Sequence, residues 1–394
     1  MFIFYGMTIE NEHDSKRNKM IDPGNLFDKL VKRGTDFFTG VPDSLLKNFC
    51  AYITDHAKAD NHIIAVNEGS AVALASGFHL GTGKIPLVYM QNSGIGNAVN
   101  PLLSLTDPLV YRIPLILMIG WRGEPGVKDE PQHLKQGKVT CALLEAMEIP
   151  YAILTRDEAD LNDQLDACYA SLEKNGGPYA FVVKKDTFTP YTLTHTEEYP
   201  AVELTREEAI EEIILSSPPE EAFFTTTGMA SRELYELREK HRMGHERDFL
   251  TVGSMGHASS LALAAAMQRR EIPITCLDGD GAVLMHLGVL GTIGTCKPSN
   301  LRHIVLNNGA HDSVGGQPTI GFKVDLCAMA LAAGYPEAHR VYTREELRAL
   351  FTARKGPVFI EVRIRKGNRA DLGRPGTSPE TNKKALMDFL RGEL

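Results

Sequence analysis

The chain has 394 residues, 43% hydrophobic and 23% charged, with a formal net charge of −8. That length suggests two or three domains with ample core. The acidic balance excludes broad attraction to nucleic acid or an anionic membrane, so an anionic ligand needs a local site. No uninterrupted apolar stretch is long enough to span a bilayer.

Residues 1–20 are polar and charged after a short Phe-Ile-Phe-Tyr start and lack a secretory pattern. They read as a flexible leader or an upstream start codon. Short apolar runs then alternate with helical patterns. Strands are expected at 36–39, 62–67, 85–92, 113–120, 150–155 and 179–184, and again at 222–227, 249–253, 272–277, 303–307, 340–343 and 357–365. Strands alternating with helices imply parallel sheets covered on both faces. The equal halves imply two doubly wound α/β domains of one architecture. The joint falls in the Thr, Pro, Tyr and Glu-rich stretch 187–205. The expected division is a leader 1–20, a first domain 21–190, a linker 191–205 and a second domain 206–394. Ser216-Ser217-Pro218-Pro219 reads as a loop inside the second domain. The six cysteines, Cys50, Cys141, Cys168, Cys276, Cys296 and Cys327, form no CxxC pair. They read as buried thiols in a reducing, cytoplasmic compartment.

On open parallel sheets, ligands sit at the carboxyl ends of strands, and the notable residues fall there. Glu68 follows the second strand and opens a helix of Ala, Ser, Val and Gly; alone, it complements the helix dipole. Gln91-Asn92-Ser93-Gly94-Ile95-Gly96-Asn97-Ala98-Val99-Asn100 is a Gly-rich turn with a helix cap. Residues 118–138 read as a long loop carrying Gln132-His133 and made locally basic by Arg122, Lys128 and Lys135. Such local basicity suits a substrate with a second anionic group, although solvated lysines are the ordinary reading. In the second half, Thr227-Gly228 ends the first strand, and Thr251-Val252-Gly253-Ser254-Met255-Gly256 precedes a small-residue helix at 258–266.

The most informative stretch is Leu277-Asp278-Gly279-Asp280-Gly281-Ala282, followed after a helix and a strand by Asn307-Asn308. Gly279 and Gly281 let a ligand approach the backbone closely, and the following helix start favours phosphate. The Asp280 carboxylate and Asn308 amide oxygen are hard ligands suited to magnesium, which usually also takes phosphate oxygens. The pair reads as a clamp for a magnesium diphosphate.

GDG followed by NN resembles the signature of thiamine-diphosphate enzymes. The resemblance implies a pyrimidine-binding first domain, a diphosphate-binding second domain and, because the halves nearly abut, no middle domain. It also implies roles. Glu68 bonds the aminopyrimidine ring nitrogen and promotes loss of the thiazolium proton, which a largely buried carboxyl with a raised pKa suits. The stretch 91–100 resembles the family's SGxGxxN loop and packs near the cofactor. Gly253 offers its carbonyl to the pyrimidine amino group. Met255, beside Ser254, wedges the cofactor into a bent shape that makes proton removal intramolecular. Thr227, Gly228, Gly281 and Ala282 line the diphosphate. The metal falls to Asp280, Asn308 and the carbonyl of Ala310. His133 stands where larger relatives carry a His-His pair, and protonates the carbon left by carbon dioxide or orients the substrate carboxylate.

Short two-part members include phosphonopyruvate and sulfopyruvate decarboxylases. The loop 121–137 and the tail Lys366–Pro375 resemble the phosphonopyruvate enzymes, while Gln317-Pro318-Thr319 fits both. The implied reaction is loss of carbon dioxide from 3-phosphonopyruvate, which pulls forward the unfavourable rearrangement of phosphoenolpyruvate. Sulfopyruvate decarboxylase is the nearest alternative, and its frequent division into two chains leans mildly against it. A thiamine-dependent carboligase and a cofactor-holding protein without turnover are further alternatives. A magnesium-dependent phosphate-transfer enzyme calls for a P-loop, and no GxxxxGK[ST] occurs. A cofactor needing both domains implies a site between subunits, hence a homodimer or a dimer of dimers.

Overall fold

A computed structural model describes residues 20–195, 201–351 and 356–393. The expected leader therefore lies outside the described residues except for Met20. The chain divides into two compact units between residues 196 and 197.

The first unit holds a six-stranded sheet: β1 (Phe38–Gly40), β2 (His62–Ile64), β3 (Leu87–Gln91), β4 (Ile116–Gly120), β5 (Tyr151–Ile153) and β6 (Tyr179–Val183). Its order is β2-β1-β3-β4-β6-β5, and every pairing is parallel. The second unit holds β7 (Ala222–Thr225), β8 (Asp248–Leu250), β9 (Ile274–Gly279), β10 (Leu301–Asn307), β11 (Glu337–Val341) and β12 (Val358–Arg363). Its order, β11-β12-β10-β9-β7-β8, is the same topology read from the other edge, again all parallel. Both halves are thus doubly wound α/β sheets of one design. Among the described residues, β6 and β7 are separated by one helix, Arg206–Ser216, and by no further sheet.

Alternation along the strands builds the cores. In the first sheet, Phe38, Tyr89, Met118 and Phe181 pack on one face with helices Pro23–Lys32, Lys47–His56 and Glu158–Asn175. Val88, Met90, Leu117 and Val182 pack on the other with helices Glu68–Thr82 and Ile95–Ser104. Caps fix where these helices begin. Asn67 accepts from the backbone N–H of Gly69 and Ser70, and Thr205 with Glu208 forms a capping box on Arg206–Ser216. In the second sheet, one face is apolar, with Phe223, Leu277, Ile304 and Ile360. The opposite face carries Cys276, Asp278, His303, Asn307 and Glu361, all buried.

Two details differ from expectation. The strand expected at 340–343 lies earlier, at Glu337–Val341, because Thr343 is spent capping the helix Arg344–Ala349 through its bond from Glu346 N–H. The expected loop 118–138 ends at Pro131, where a helix runs to Ala146. Proline suits a first helical position because its missing N–H is an orphan there anyway. The stretch after β6 stays with the first unit. Phe188 joins its core, while Tyr191, Thr194 and His195 all bond to Asp55. Ser216 ends a helix, so the Ser-Ser-Pro-Pro run is a loop before β7. All six cysteines are free thiols; Cys50, Cys168 and Cys276 are buried and Cys296 is exposed. Among the described residues no helix is long and apolar enough to cross a membrane.

Candidate active site

In each sheet the order reverses beside the first strand, and the crevice at that switch point is where such sheets bind ligands. In the second unit β7 and β9 flank the switch, and four loops meet there. Gly228 ends the β7 loop with φ 97° and ψ −134°, a conformation for glycine, and caps the helix Met229–Lys240. Thr227 Oγ1 accepts from Gly253 N–H at 3.0 Å, tying this loop to the next. Gly253 and Ser254 are both left-handed, with φ 69° and 47°. A non-glycine residue held there carries strain that clusters at functional sites. The double turn brings the Met255 methyl to 3.3 Å from where a Cβ on Gly281 would sit, with the His311 ring at 3.2 Å from the same point. Gly256 packs on the Ala282 carbonyl and the His286 ring so closely that a Cβ would lie 2.9 Å and 2.6 Å from them.

Asp280 begins the helix Asp280–Met285 and is 3% exposed. Thr319 Oγ1 donates to its Oδ2. Burial raises the Asp280 carboxyl to about 6, against the bond from Thr319 and those from the backbone at Asp280 and Gly281. The two asparagines do different work. Asn307, fully buried, donates to Glu361 Oε1 at 2.7 Å and to the Gly321 carbonyl at 2.8 Å, and accepts from Gly309 N–H. It anchors the loop. Asn308 donates to Asp312 Oδ2 at 2.6 Å, which orients its amide so that Oδ1 accepts from Ala310 N–H at 3.0 Å. Asp312 also accepts from Gly367 N–H at 2.9 Å, so the tail singled out in the sequence docks on this loop.

This donor set fits the expected group. Carboxylate, amide and carbonyl oxygens of Asp280, Asn308 and Ala310 are hard ligands of the kind magnesium takes. A Cβ on Gly228 or Gly279 would meet nothing within 4 Å, so the backbone at the carboxyl ends of β7 and β9 faces open space of the kind a diphosphate occupies.

In the first unit, Glu68 lies after β2, 5% exposed, and accepts from Asn97 Nδ2 at 2.8 Å. Gly94 presses on the same carboxyl: a Cβ there would sit 2.5 Å from Oε1 and from Cγ. The glycine-rich loop after β3 therefore shapes the space around Glu68. His133 lies in the first turn of the helix Pro131–Ala146, 8% exposed, with long contacts to Gln132 and Gln136. Burial, then the charge of Arg122, holds its imidazole below the usual value, so it is neutral at pH 7. The expected basic character of the loop is reduced. Arg122 is paired with Asp129, and Lys128 and Lys135 are exposed.

Sequence reasoning missed several polar residues at these strand ends. Asp43 and Ser44 follow β1. Asp43 is fully buried, accepting from Gln91 Nε2 at 2.7 Å and Leu45 N–H at 2.9 Å. His311 and Asp312 were likewise not singled out, and Thr319 was noted only within Gln317-Pro318-Thr319, without a role. The available signal was position alone: Pro-Asp-Ser directly after a strand, and polar residues crowded behind Asn308.

Topology, the glycine turns and the oxygen donors together define a cofactor-binding α/β enzyme, and sequence comparison agrees. The N-terminal TPP binding domain of thiamine pyrophosphate enzymes matches residues 25–142, and the C-terminal TPP binding domain matches 226–362. The chain belongs to the thiamine pyrophosphate enzymes. Phosphonopyruvate decarboxylase of Streptomyces viridochromogenes is 36% identical over 388 residues, covering 94% of this chain and 95% of its own. The enzyme of the same name from Streptomyces hygroscopicus is 34% identical, covering 94% of both chains. Sulfopyruvate decarboxylase of Methanosarcina acetivorans is 27% identical, covering 94% of this chain and 98% of its own. That last relative is a single chain, so the undivided length of this one does not separate the two activities.

Proposed function

We propose that this protein catalyses the thiamine-diphosphate- and magnesium-dependent decarboxylation of 3-phosphonopyruvate to phosphonoacetaldehyde and carbon dioxide, as a step of phosphonate biosynthesis in the cytoplasm. The observation that carries the reading is end-to-end similarity to phosphonopyruvate decarboxylases, and the converging oxygen donors of the second unit suit the cofactor. Asp280, Asn308 and the Ala310 carbonyl hold magnesium. Thr227, Gly228, Gly281 and Ala282 line the diphosphate. Gly253, Ser254 and Met255 fix the orientation of the rings.

Bound thiamine diphosphate supplies a cationic thiazolium that takes up the electron pair released as carbon dioxide leaves. Glu68 holds and releases a proton at its carboxyl, with Oε2 fixed by Asn97 Nδ2 and room kept beside Oε1 by Gly94. His133, neutral at pH 7, handles a second proton or orients the substrate carboxylate. The active form is a homodimer or a dimer of dimers, with 21–190 and 206–394 as the pyrimidine- and diphosphate-binding domains.

Steady-state assays on phosphonopyruvate and sulfopyruvate, with cofactor and magnesium added or withheld, test the reading. Turnover of phosphonopyruvate that needs both additions is expected. A higher kcat/KM for sulfopyruvate would overturn the substrate assignment, and a strong preference for transfer to an added aldehyde would favour a carboligase.

A further inference from the structure

We propose that Arg122 is the group that recognises the tetrahedral oxyanion at the far end of the substrate. This deepens the decarboxylase reading and rests on it. Arg122 is the first residue but one after β4, at the carboxyl edge of the first sheet. Its position is fixed twice over. The Asn92 side chain clasps its backbone, accepting from Arg122 N–H at 3.2 Å and donating to Arg122 carbonyl at 2.8 Å. Asn92 is itself buried and held by Thr140 at 2.9 Å. The guanidinium then donates through Nε and Nη2 to both oxygens of Asp129, at 2.9 and 2.5 Å, and through Nη1 to Ser44 Oγ at 2.8 Å.

These bonds use three of the five N–H donors a guanidinium carries. Two remain without a partner among the described residues, on a planar group that cannot rotate away. Asp129 does not cancel the charge outright, because it also accepts from Gly123 N–H and Glu130 N–H, each at 2.8 Å. Its negative charge is shared between the arginine and two backbone amides. A fixed planar cation with spare donors suits a phosphonate or sulfonate better than a mobile lysine does. The setting agrees. Asp43 and Ser44 follow β1, Gln91 ends β3, and Arg122 is near enough to His133 to depress its imidazole. Anion recognition and the candidate proton carrier thus share one strand-end cluster. In a chain of net charge −8, such a local device is what an anionic substrate needs.

The chain contains one tryptophan, Trp121, next to Arg122 and fixed by its Nε1–H bond to Gly137 carbonyl at 2.8 Å. Its fluorescence reports on the site. The enzyme loaded with thiamine diphosphate and magnesium is titrated with phosphonoacetate, which has the phosphonate but no keto group. Oxamate, which has a keto-acid shape and no second anion, is the control. Saturable binding of phosphonoacetate is expected. Arg122→Lys should weaken it roughly tenfold to a hundredfold, leave oxamate within about twofold, and raise KM for phosphonopyruvate far more than it lowers kcat. A merely structural staple would weaken both ligands alike, and that result would overturn the proposal, as would unchanged phosphonoacetate binding. Should Arg122→Lys not fold, Ser44→Ala removes a single orienting bond, and a selective loss of phosphonoacetate binding is again required. Selective loss supports the role of Arg122 even in an enzyme that prefers sulfopyruvate, so failure of the substrate reading and failure of this proposal are separable.

Discussion

Gly94→Ala probes the Glu68 site without touching the acid itself. The backbone at Gly94 has φ −72°, which alanine adopts freely. The obstacle is space. A Cβ would stand 2.5 Å from both Oε1 and Cγ of Glu68, and 2.7 Å from Cδ, where ordinary contact begins at 3.4 Å. The methyl and the carboxyl must therefore separate by about 1 Å. The carboxyl is the end of a flexible side chain, so it yields before the backbone does. The stability loss should stay within the roughly 1–3 kcal/mol typical of overpacking. The functional loss should be larger, because a misplacement of about 1 Å in a reacting group can cost roughly a hundredfold. Decarboxylation at saturating cofactor and substrate measures kcat. Hydrogen–deuterium exchange at the thiazolium carbon of the loaded enzyme measures the proton step separately. Both should fall about a hundredfold, with little change in KM. A variant that folds and keeps more than half of the exchange rate would show that Glu68 is not placed by this glycine and does not drive the proton step.

Other outcomes follow from the same geometry. Asp312→Ala releases the Asn308 amide and the Gly367 backbone; magnesium-dependent cofactor binding should weaken roughly tenfold to a hundredfold, as for other outer partners of metal ligands, and unchanged binding would remove Asp312 from the account. Asn307→Ala leaves Glu361 Oε1 with only its ion pair to Arg363 and strands the Gly321 carbonyl and the Gly309 N–H in a buried setting; urea unfolding should show a loss of about 3 kcal/mol, and a loss below about 1 kcal/mol would mean the loop has another anchor. His62 gives a pH dependence. Burial lowers its imidazole from 6.5 to about 4, with Nε2 against the Tyr89 hydroxyl at 2.9 Å. The unfolded chain takes up the proton first, so this stability is whole above pH 6.5 and is lost as pH falls toward 4, by at most about 3 kcal/mol. Thermal unfolding between pH 7.5 and 5 should therefore fall less steeply in His62→Gln than in the parent, and parallel curves would contradict the depressed imidazole of the half-buried His62.

Much of the fold was legible because both halves repeat one rhythm of apolar strand and patterned helix, and each expected strand overlaps one observed. GDG could be placed because a strand delivers Asp280 to a carboxyl end and glycines clear the space before it. Asn307 and Asn308 look equivalent in a sequence. Strand alternation turns the first into the buried face toward Glu361, and only coordinates reveal that the second is oriented by Asp312. The helix at Pro131 was hidden by a run of Gly, Pro and charge that reads as loop. It packs against the loop where Gly123 and Gly137 approach so closely that a Cβ on Gly137 would lie 1.7 Å from the Gly123 carbonyl oxygen. The basicity of 118–138 was legible only in part: sequence counts charges, whereas folding pairs Arg122 with Asp129 and leaves Lys128 and Lys135 exposed. Asp43 and Ser44 were illegible because turn-forming polar residues are common everywhere, and only long-range packing marks these as lining a site.

Calorimetric titration of the purified protein with thiamine diphosphate, with and without magnesium, bears most directly on the cofactor site, with Asp280→Asn alongside. Saturable binding that requires the metal and is lost in the variant is expected. Binding of equal strength without magnesium, or in Asp280→Asn, would contradict the assignment of Asp280 and Asn308, and no binding under any of these conditions would contradict the cofactor site itself.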